Sequence, residues 1–460
     1  MMSDFQLNYL ESGEIELTCS SAYIVSRMSQ KYTYLPLLVA GLISSQSAQA
    51  GEFAGPVAVD KTPAGSGSFM DSIIPDNPYF GTNLEFSKHM LSWQRGVTDH
   101  STYVLDAYER DQLQVGKVYL SGHAAYAQYF EETDVDGKFP VLGRFPDQHT
   151  SGGSASENIL ESFDLSLTYS PHAWVTMHAR GIYTELEFPG QEEVQLREAF
   201  VTLGNLKKSP YYVSVGKKTV NFGSFVSYNP NTHSVGNHFY RTDSKDVVAE
   251  LGYRTKNLSF AFTTIQGGRQ LRVADTPGSG FMDNFAVSGQ YNTEVQGWDV
   301  NVGAGYLNST IYDSDSANHP GVTPDPLNFR HRNGAYNAWL EVKKNNLSFH
   351  GEYTKTERDW PASGAPVESY TVQAAYDSEL FSFPTRYSLS YGRGKQGNPG
   401  DAFERLHQFA AGIETFVHPN FSISAEYVYN RGFVPLIMLD RVSDSEVDTN
   451  TLIISGRMFF

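Results

Sequence analysis

Three things are scarce in this 460-residue chain: cysteine, long apolar runs and positive charge. The one cysteine, Cys19, falls within the first fifty residues, so the remainder has no thiol for a disulfide or a thiolate metal site. No run approaches the roughly 18 to 20 consecutive apolar residues of a spanning helix, which excludes a helical membrane protein. It does not exclude a barrel, whose strands need only every second residue apolar. Lys and Arg number 34 against 51 Asp and Glu, a net charge of −17, and so acidic a chain is no partner for nucleic acid.

What is present begins with an address. Lys31 precedes an apolar run from Leu35 to Ile43, followed by Ser44, Ser45 and Ala48-Gln49-Ala50. This is the pattern of a secretory signal peptide read by the Sec pathway, over residues 28–50. Residues 1–27 are acidic (Asp4, Glu11, Glu14, Glu16) where a basic n-region belongs, so translation is expected to start at Met28 and the exported chain at Gly51. The first fifty residues hold two basic and four acidic side chains; without them 32 basic stand against 47 acidic, a net charge of −15.

From residue 116 the chain alternates apolar and polar residues in segments of about ten. Phe163, Leu165, Leu167 and Tyr169 interleave with Ser162, Asp164, Ser166 and Thr168; Trp298, Val300, Val302, Ala304 and Tyr306 repeat the pattern, as do Tyr336, Ala338, Leu340 and Val342. One face is greasy and the other wet. Sixteen such segments begin near 116, 159, 174, 194, 211, 246, 258, 283, 297, 334, 346, 367, 381, 405, 421 and 448. An even count predicts an all-β fold, a closed antiparallel transmembrane barrel of the outer-membrane porin type over 116–460.

The joins set the orientation. Short ones such as Thr255-Lys256-Asn257 and Lys343-Lys344-Asn345 alternate with long ones at 131–158, 222–245, 267–282, 311–333 and 432–447. Outer-membrane barrels keep short turns in the periplasm and long loops outside. The chain has 28 Tyr and 29 Phe, and Tyr169, Tyr253, Tyr291, Tyr306, Tyr353 and Tyr391 fall at strand ends where interfacial girdles belong. The exterior is thus expected to face outer-membrane lipid and lipopolysaccharide. The last strand closes on Phe460, which resembles the terminal signal read by the barrel-assembly machinery. A soluble sandwich or propeller also alternates, but lacks the short-long rhythm. Residues 51–115, rich in Gly, Pro and Ser at first and mixed around Trp93 and Tyr108, precede the barrel as a periplasmic extension or a segment tucked into the pore.

If the apolar stripes face lipid, the opposite parity lines the lumen: Asp164, Arg180, Glu198, Lys218, Glu250, Arg254, Asp299, Glu341, Glu352, Arg386, Glu414, Glu426 and Arg457. Mixed signs predict a hydrated, weakly selective passage in which many charges pair across strands. The loop at 222–245 is the expected constriction, with Tyr228, His233, His238, Tyr240 and Arg241 as its recognition surface. No catalytic residues are expected, because His178 and His350 both carry lumen parity and leave no outward Ser-His pair for a lipase. No metal or other cofactor is expected: His233 and His238 lack neighbouring carboxylates or thiols, and Asp134-Val135-Asp136 and Asp313-Ser314-Asp315 lack the glycine and glutamate of a calcium loop.

The segments Leu196-Arg197-Glu198-Ala199-Phe200-Val201-Thr202-Leu203-Gly204-Asn205-Leu206, Ser209-Pro210-Tyr211-Tyr212, Gly216-Lys217-Lys218 and Asn221-Phe222-Gly223 resemble the siderophore porins of the legiobactin-uptake type. The resemblance is strongest over 194–253. It implies a 16-stranded barrel that imports a ferric siderophore without inner-membrane energy coupling. Similar strands occur in general and phosphate-selective porins, so a channel of low specificity stays open, as do an adhesion or structural envelope barrel and a homotrimeric assembly.

Overall fold

The period-two segments become strands in the computed structural model of the protein, which describes residues 78–92, 100–144, 151–185, 193–244, 247–265, 282, 284–313, 332–361, 363–434 and 443–460. A two-residue strand β1 (Phe80–Gly81) is followed by helices α1 (Leu84–Leu91) and α2 (His100–Glu109). Then come β2 (Val118–Thr133), β3 (Ser154–His172), β4 (Val175–Tyr183), β5 (Val194–Gly204) and β6 (Tyr211–Lys217). After a short helix α3 (Val235–Tyr240) lie β7 (Val248–Arg254), β8 (Leu258–Ile265), β9 (Asn284–Val295), β10 (Trp298–Leu307) and β11 (Ala335–Lys344). The chain finishes with β12 (Leu347–Trp360), β13 (Ala365–Leu380), β14 (Phe383–Lys395), β15 (Arg405–His418), β16 (Phe421–Gly432) and β17 (Asp448–Phe459).

Each strand from β2 to β17 pairs antiparallel with the next, and β17 closes on β2 from Thr449 opposite Thr133 to Phe459 opposite His123. The result is a barrel of sixteen strands with no free edge, the only sheet form whose backbone groups are all satisfied in lipid. Fifteen strands start within two residues of the positions read from the sequence; β3 starts five residues earlier, at Ser154, because its loop-end half pairs with β2 beyond the bulge at Ala125 and Tyr126. β1 adds a parallel bridge to Val118 and Tyr119 at the start of β2.

The parity is that of the sequence. Leu165, Leu251, Val372 and Ile454 lie exposed on the outside, while Ser162, Asp164, Ser166 and Thr168 are buried inside. Among the described residues no helix is long and apolar enough to cross a membrane, so the apolar exterior belongs to the strands. Phe460 turns its ring over Gly122, where an added Cβ would meet it at 1.9 Å, and exchanges backbone hydrogen bonds with that residue at 2.9 and 3.0 Å. The terminal aromatic therefore seals the seam between first and last strands. The joins at 173–174, 255–257, 296–297, 345–346, 381–382 and 419–420 mark one end of the barrel, called here the short-turn end, and the long connections mark the other.

Candidate functional site

The inner wall is built by register. Cross-strand neighbours on one face lie about 5 Å apart, so inward charges on adjacent strands meet. Arg180 on β4 bonds Asp164 on β3 at 2.7 and 2.8 Å, Lys218 after β6 meets Glu250 on β7 at 2.7 Å, and Arg386 on β14 makes two 2.6 Å bonds to Asp377 on β13. Arg457 approaches Glu414 at 4.0 Å and Lys343 bonds Glu341 at 2.8 Å. Asp164, Arg180, Lys218, Glu250, Glu341, Arg386, Glu414 and Arg457 thus each face a partner of opposite charge on the inner side of the sheet.

The connection from β6 to β7 enters the barrel and runs around its wall strand by strand. The backbone N–H groups of Ser224 and Phe225 each donate to the Glu352 carboxylate of β12 at 2.8 Å, and Tyr228 N–H donates to Gln373 of β13 at 2.8 Å. Asn229 donates to Ser390 of β14 at 2.6 Å, Pro230 lies against Gly412 of β15, and Asn231 N–H donates to Glu426 of β16 at 2.5 Å. The Asn231 side-chain oxygen Oδ1 then accepts from Ser455 (2.7 Å) and Arg457 (3.3 Å) of β17. Glycines make the room: a Cβ at Gly305 of β10 would lie 1.8 Å from the Phe222 carbonyl. At Gly392 and Gly394 of β14 it would strike Val235 and Phe239 of α3 at 2.4 and 2.2 Å. The loop's own apolar residues close a core at the loop end with Val248, Tyr312, Trp360 and Phe433.

This placement changes the expected roles of the five loop side chains. Tyr228, His238 and Tyr240 are only 3–4% exposed, so they pack the loop against the wall instead of facing a solute. Tyr228 donates its hydroxyl to Glu341 at 2.7 Å, and Tyr240 donates to the Val367 carbonyl. Burial and the Glu341 carboxylate hold the Tyr228 phenol far above its ordinary range, so it stays a donor. His233 and Arg241 remain half-buried. Arg241 and Arg197 both face Asp243, at 2.5 and 3.4 Å; burial opposes the charge of Asp243, but the two guanidiniums outweigh it and keep its carboxyl below the usual range. His233 and His238 stand edge to face at 6.0 Å, and among the described residues no group of three His, Cys, Asp or Glu side chains is arranged to hold a metal ion.

The pre-barrel segment supplies two helices that the sequence reading left as mixed sequence. Asn83 caps α1 by accepting from Phe86 N–H at 3.0 Å, with Glu85 in the first turn and Lys88 and His89 in the last, as the helix dipole favours. Phe86 and Met90, four residues apart, share a face that packs on Val104 and Ala107 of α2. Both helices lie inside the barrel at its short-turn end. His100 lies 2.8 Å from Glu198 of β5, Ser101 donates to Glu250 at 3.2 Å and accepts from Lys218 at 2.6 Å, and Asp106 takes two bonds from Arg254 at 2.5 and 2.9 Å.

Water reaches a different sector of the inner wall. On β9 to β11 the inward residues of the short-turn half, Asn292, Asp299, Asn301, Trp339, Glu341 and Lys343, are half-buried or exposed, whereas those of the loop-end half (Asn284, Ala286, Leu307, Asn337) and nearly every inward residue on β2 to β4 are buried. Glu294 and Asp299 face each other across β9 and β10, both exposed. Asp299 and Glu341 were legible from parity. Trp339, Asn301 and Glu294 were passed over, although a tryptophan at a wet-face position between Ala338 and Leu340 was itself a signal. Trp339 stacks on His350 at 6.2 Å and 27°.

No family model matches the chain. A curated relative, the UPF0422 protein of Coxiella burnetii (strain RSA 493), is 25% identical over 61% of this chain and 61% of its own length, so the match spans about three fifths of that relative. Among solved structures the chain resembles the anion-selective porin from Comamonas acidovorans, with a TM-score of 0.50 at 10% identity over 75% of this chain and 99% of that one. Salmonella typhi OmpF in complex with daunomycin gives 0.48 at 15% identity over 75% and 98%. At such identity the likeness to the Comamonas porin is one of fold: a sixteen-stranded porin barrel.

Proposed function

We propose that this protein is an outer-membrane channel through which a polar solute diffuses, and that the solute is a ferric siderophore. The observation that carries the channel reading is a closed sixteen-stranded ladder with an apolar exterior and a water-reached polar strip inside. The loop from β6 to β7 narrows the lumen, and a solute meets Trp339, Asn301 and Glu341 on the strip, with His233 and Arg241 on the loop. An indole flanked by an amide and a carboxylate suits a bulky polar chelate better than a small ion. The siderophore class rests on the resemblance over 194–253. Exposed Glu294 and Asp299 bias the passage towards a neutral or cationic chelate, against the anion preference in the name of the Comamonas porin.

The test reconstitutes the protein in planar bilayers and liposomes and follows ion conductance, ferric chelate entry and small-sugar leakage. Conductance with chelate entry, together with siderophore-dependent growth that needs this protein and survives loss of energy coupling, is the expected result. Absence of conductance overturns the channel. If deleting the protein lowers small-solute permeability and leaves siderophore-dependent growth intact, a general porin replaces the siderophore reading.

A further inference from the structure

The α1–α2 pair is seated in the lumen in a way that separates it from the rest of the wall. Its apolar contacts are mostly internal: Phe86, Met90 and Leu91 pack on Val104 and Ala107, and the Tyr103 ring stacks on His89 at 3.4 Å and on Phe86 at 5.8 Å. Among barrel-strand side chains, the same cluster takes in Tyr119 of β2 and Phe200 of β5. Beyond these and Leu105, which packs against Gly204 of β5, its attachment to β5, β6 and β7 is polar, through His100, Ser101 and Asp106. A unit that keeps its own core and touches its seat through exchangeable polar bonds can leave without exposing a large apolar surface. The groups left behind, Glu198, Lys218, Glu250 and Arg254, would be hydrated by a water-filled lumen, so no charge is stranded dry.

The seat also spans the barrel. Arg254 and Glu250 belong to β7, the sixth barrel strand; the ring over which Lys88 of α1 sits at 4.1 Å is Phe416 of β15, the fourteenth. Strands eight apart in a ring of sixteen lie on opposite walls. Two helices with side chains, each about 10 Å across, therefore bridge the lumen at the short-turn end and leave the β9 to β11 sector as the part water reaches. Both ends of the pair are tied to β2: Val118 N–H donates to Tyr79 at 2.8 Å before α1, and the chain after α2 runs directly into β2. An undocked pair would remain tethered at the mouth.

We infer that α1 and α2 form a displaceable plug that closes most of the short-turn half of the lumen, with the Asp106–Arg254, Ser101–Glu250 and His100–Glu198 contacts as its latch. The inference rests on the channel reading. Three proteins are compared as single channels in planar bilayers, each first checked for heat-modifiable migration as evidence of a folded barrel: the full chain, the full chain carrying Asp106→Asn with Ser101→Ala, and a chain lacking residues 79–112. In a fourth, Asp106→Cys and Arg254→Cys in a Cys19→Ser background are bridged by a reducible bifunctional thiol reagent. The full chain is expected to switch between a low and a high level, the loosened variant to dwell longer in the high level, and the deletion to stay there at about twofold or more the low conductance. The cross-link should abolish the high level and reductant restore it. Equal conductance in the full and shortened chains, or switching that survives the cross-link, overturns the plug. If the shortened chain does not fold, the loosened and cross-linked variants decide alone. No conductance in any folded variant sinks the channel reading itself.

Discussion

Glu352 offers the sharpest test of how the wall holds its loop. Its two carboxylate oxygens accept from Ser224 N–H and Phe225 N–H at 2.8 Å each and from Asn337 at 2.8 Å, and it is buried. Phe225 is held there with φ of 47°, a left-handed conformation that a phenylalanine adopts only under constraint. In Glu352→Ala both backbone donors lose their acceptor. An unsatisfied buried donor costs about 1–3 kcal/mol, and water entering from the lumen returns part of it, so loop docking should weaken by about 2–4 kcal/mol for the pair. That corresponds to a change of about 30- to 1,000-fold in the undocked population. Hydrogen exchange of peptides covering 222–234 should accelerate by that factor, because these amides exchange through undocking. Peptides from β13 to β16 should keep their protection, since the ladder does not depend on Glu352. Unchanged exchange at 222–234 would refute the claim that this carboxylate anchors the loop; acceleration throughout the barrel would show that it supports the wall instead.

Two further outcomes follow from the register and from burial. On β10, Val302→Arg places a cation on the lipid face and should cost about 2–4 kcal/mol in urea unfolding from liposomes, while Asn301→Arg, one residue away on the wet face, should cost little; equal costs would mean the parity is wrong. His89 is half-buried inside the plug, and desolvation there first, then the neighbours His100, Arg110, Arg254 and Lys343, push its pKa from 6.5 down to about 3. The docked pair therefore holds His89 neutral, and its stability, complete above pH 6.5, should decline as pH falls towards 3, by up to about 1.4 kcal/mol per pH unit. Exchange of Leu84–Leu91, corrected for intrinsic rates, should rise at acid pH in the native chain and rise less in His89→Gln.

The strands were legible because their cause is local. A residue's side in a β-strand depends only on the parity of its position, so Leu165 faces out and Asp164 faces in whatever the rest of the chain does. Short joins tie consecutive strands, and an even count lets the sheet close. The same parity puts Arg180, Glu198, Lys218, Glu250, Arg254 and Arg386 on the side away from lipid, where each meets a charged or ionisable partner. The loop's role was half legible: its length and position said that it enters the barrel, but not which of its side chains stay in water.

Burial is not a local property. Phe225 meets Glu352 across 127 residues of sequence and Asn231 meets Arg457 across 226, so neither parity nor composition of the loop foretells that Tyr228 and Tyr240 are consumed by the wall. Helices α1 and α2 are short, and a short helix owes its stability to tertiary packing more than to propensity, so the Trp93 to Tyr108 region shows no strong pattern of its own. By itself the sequence determined the fold, where all the strands but β3 begin and, between bulges, the side that a strand residue faces, all of which follow from a two-residue repeat. Only the tertiary structure decided what fills the lumen, because that depends on which inward charges meet a partner from a distant segment and which are left to water.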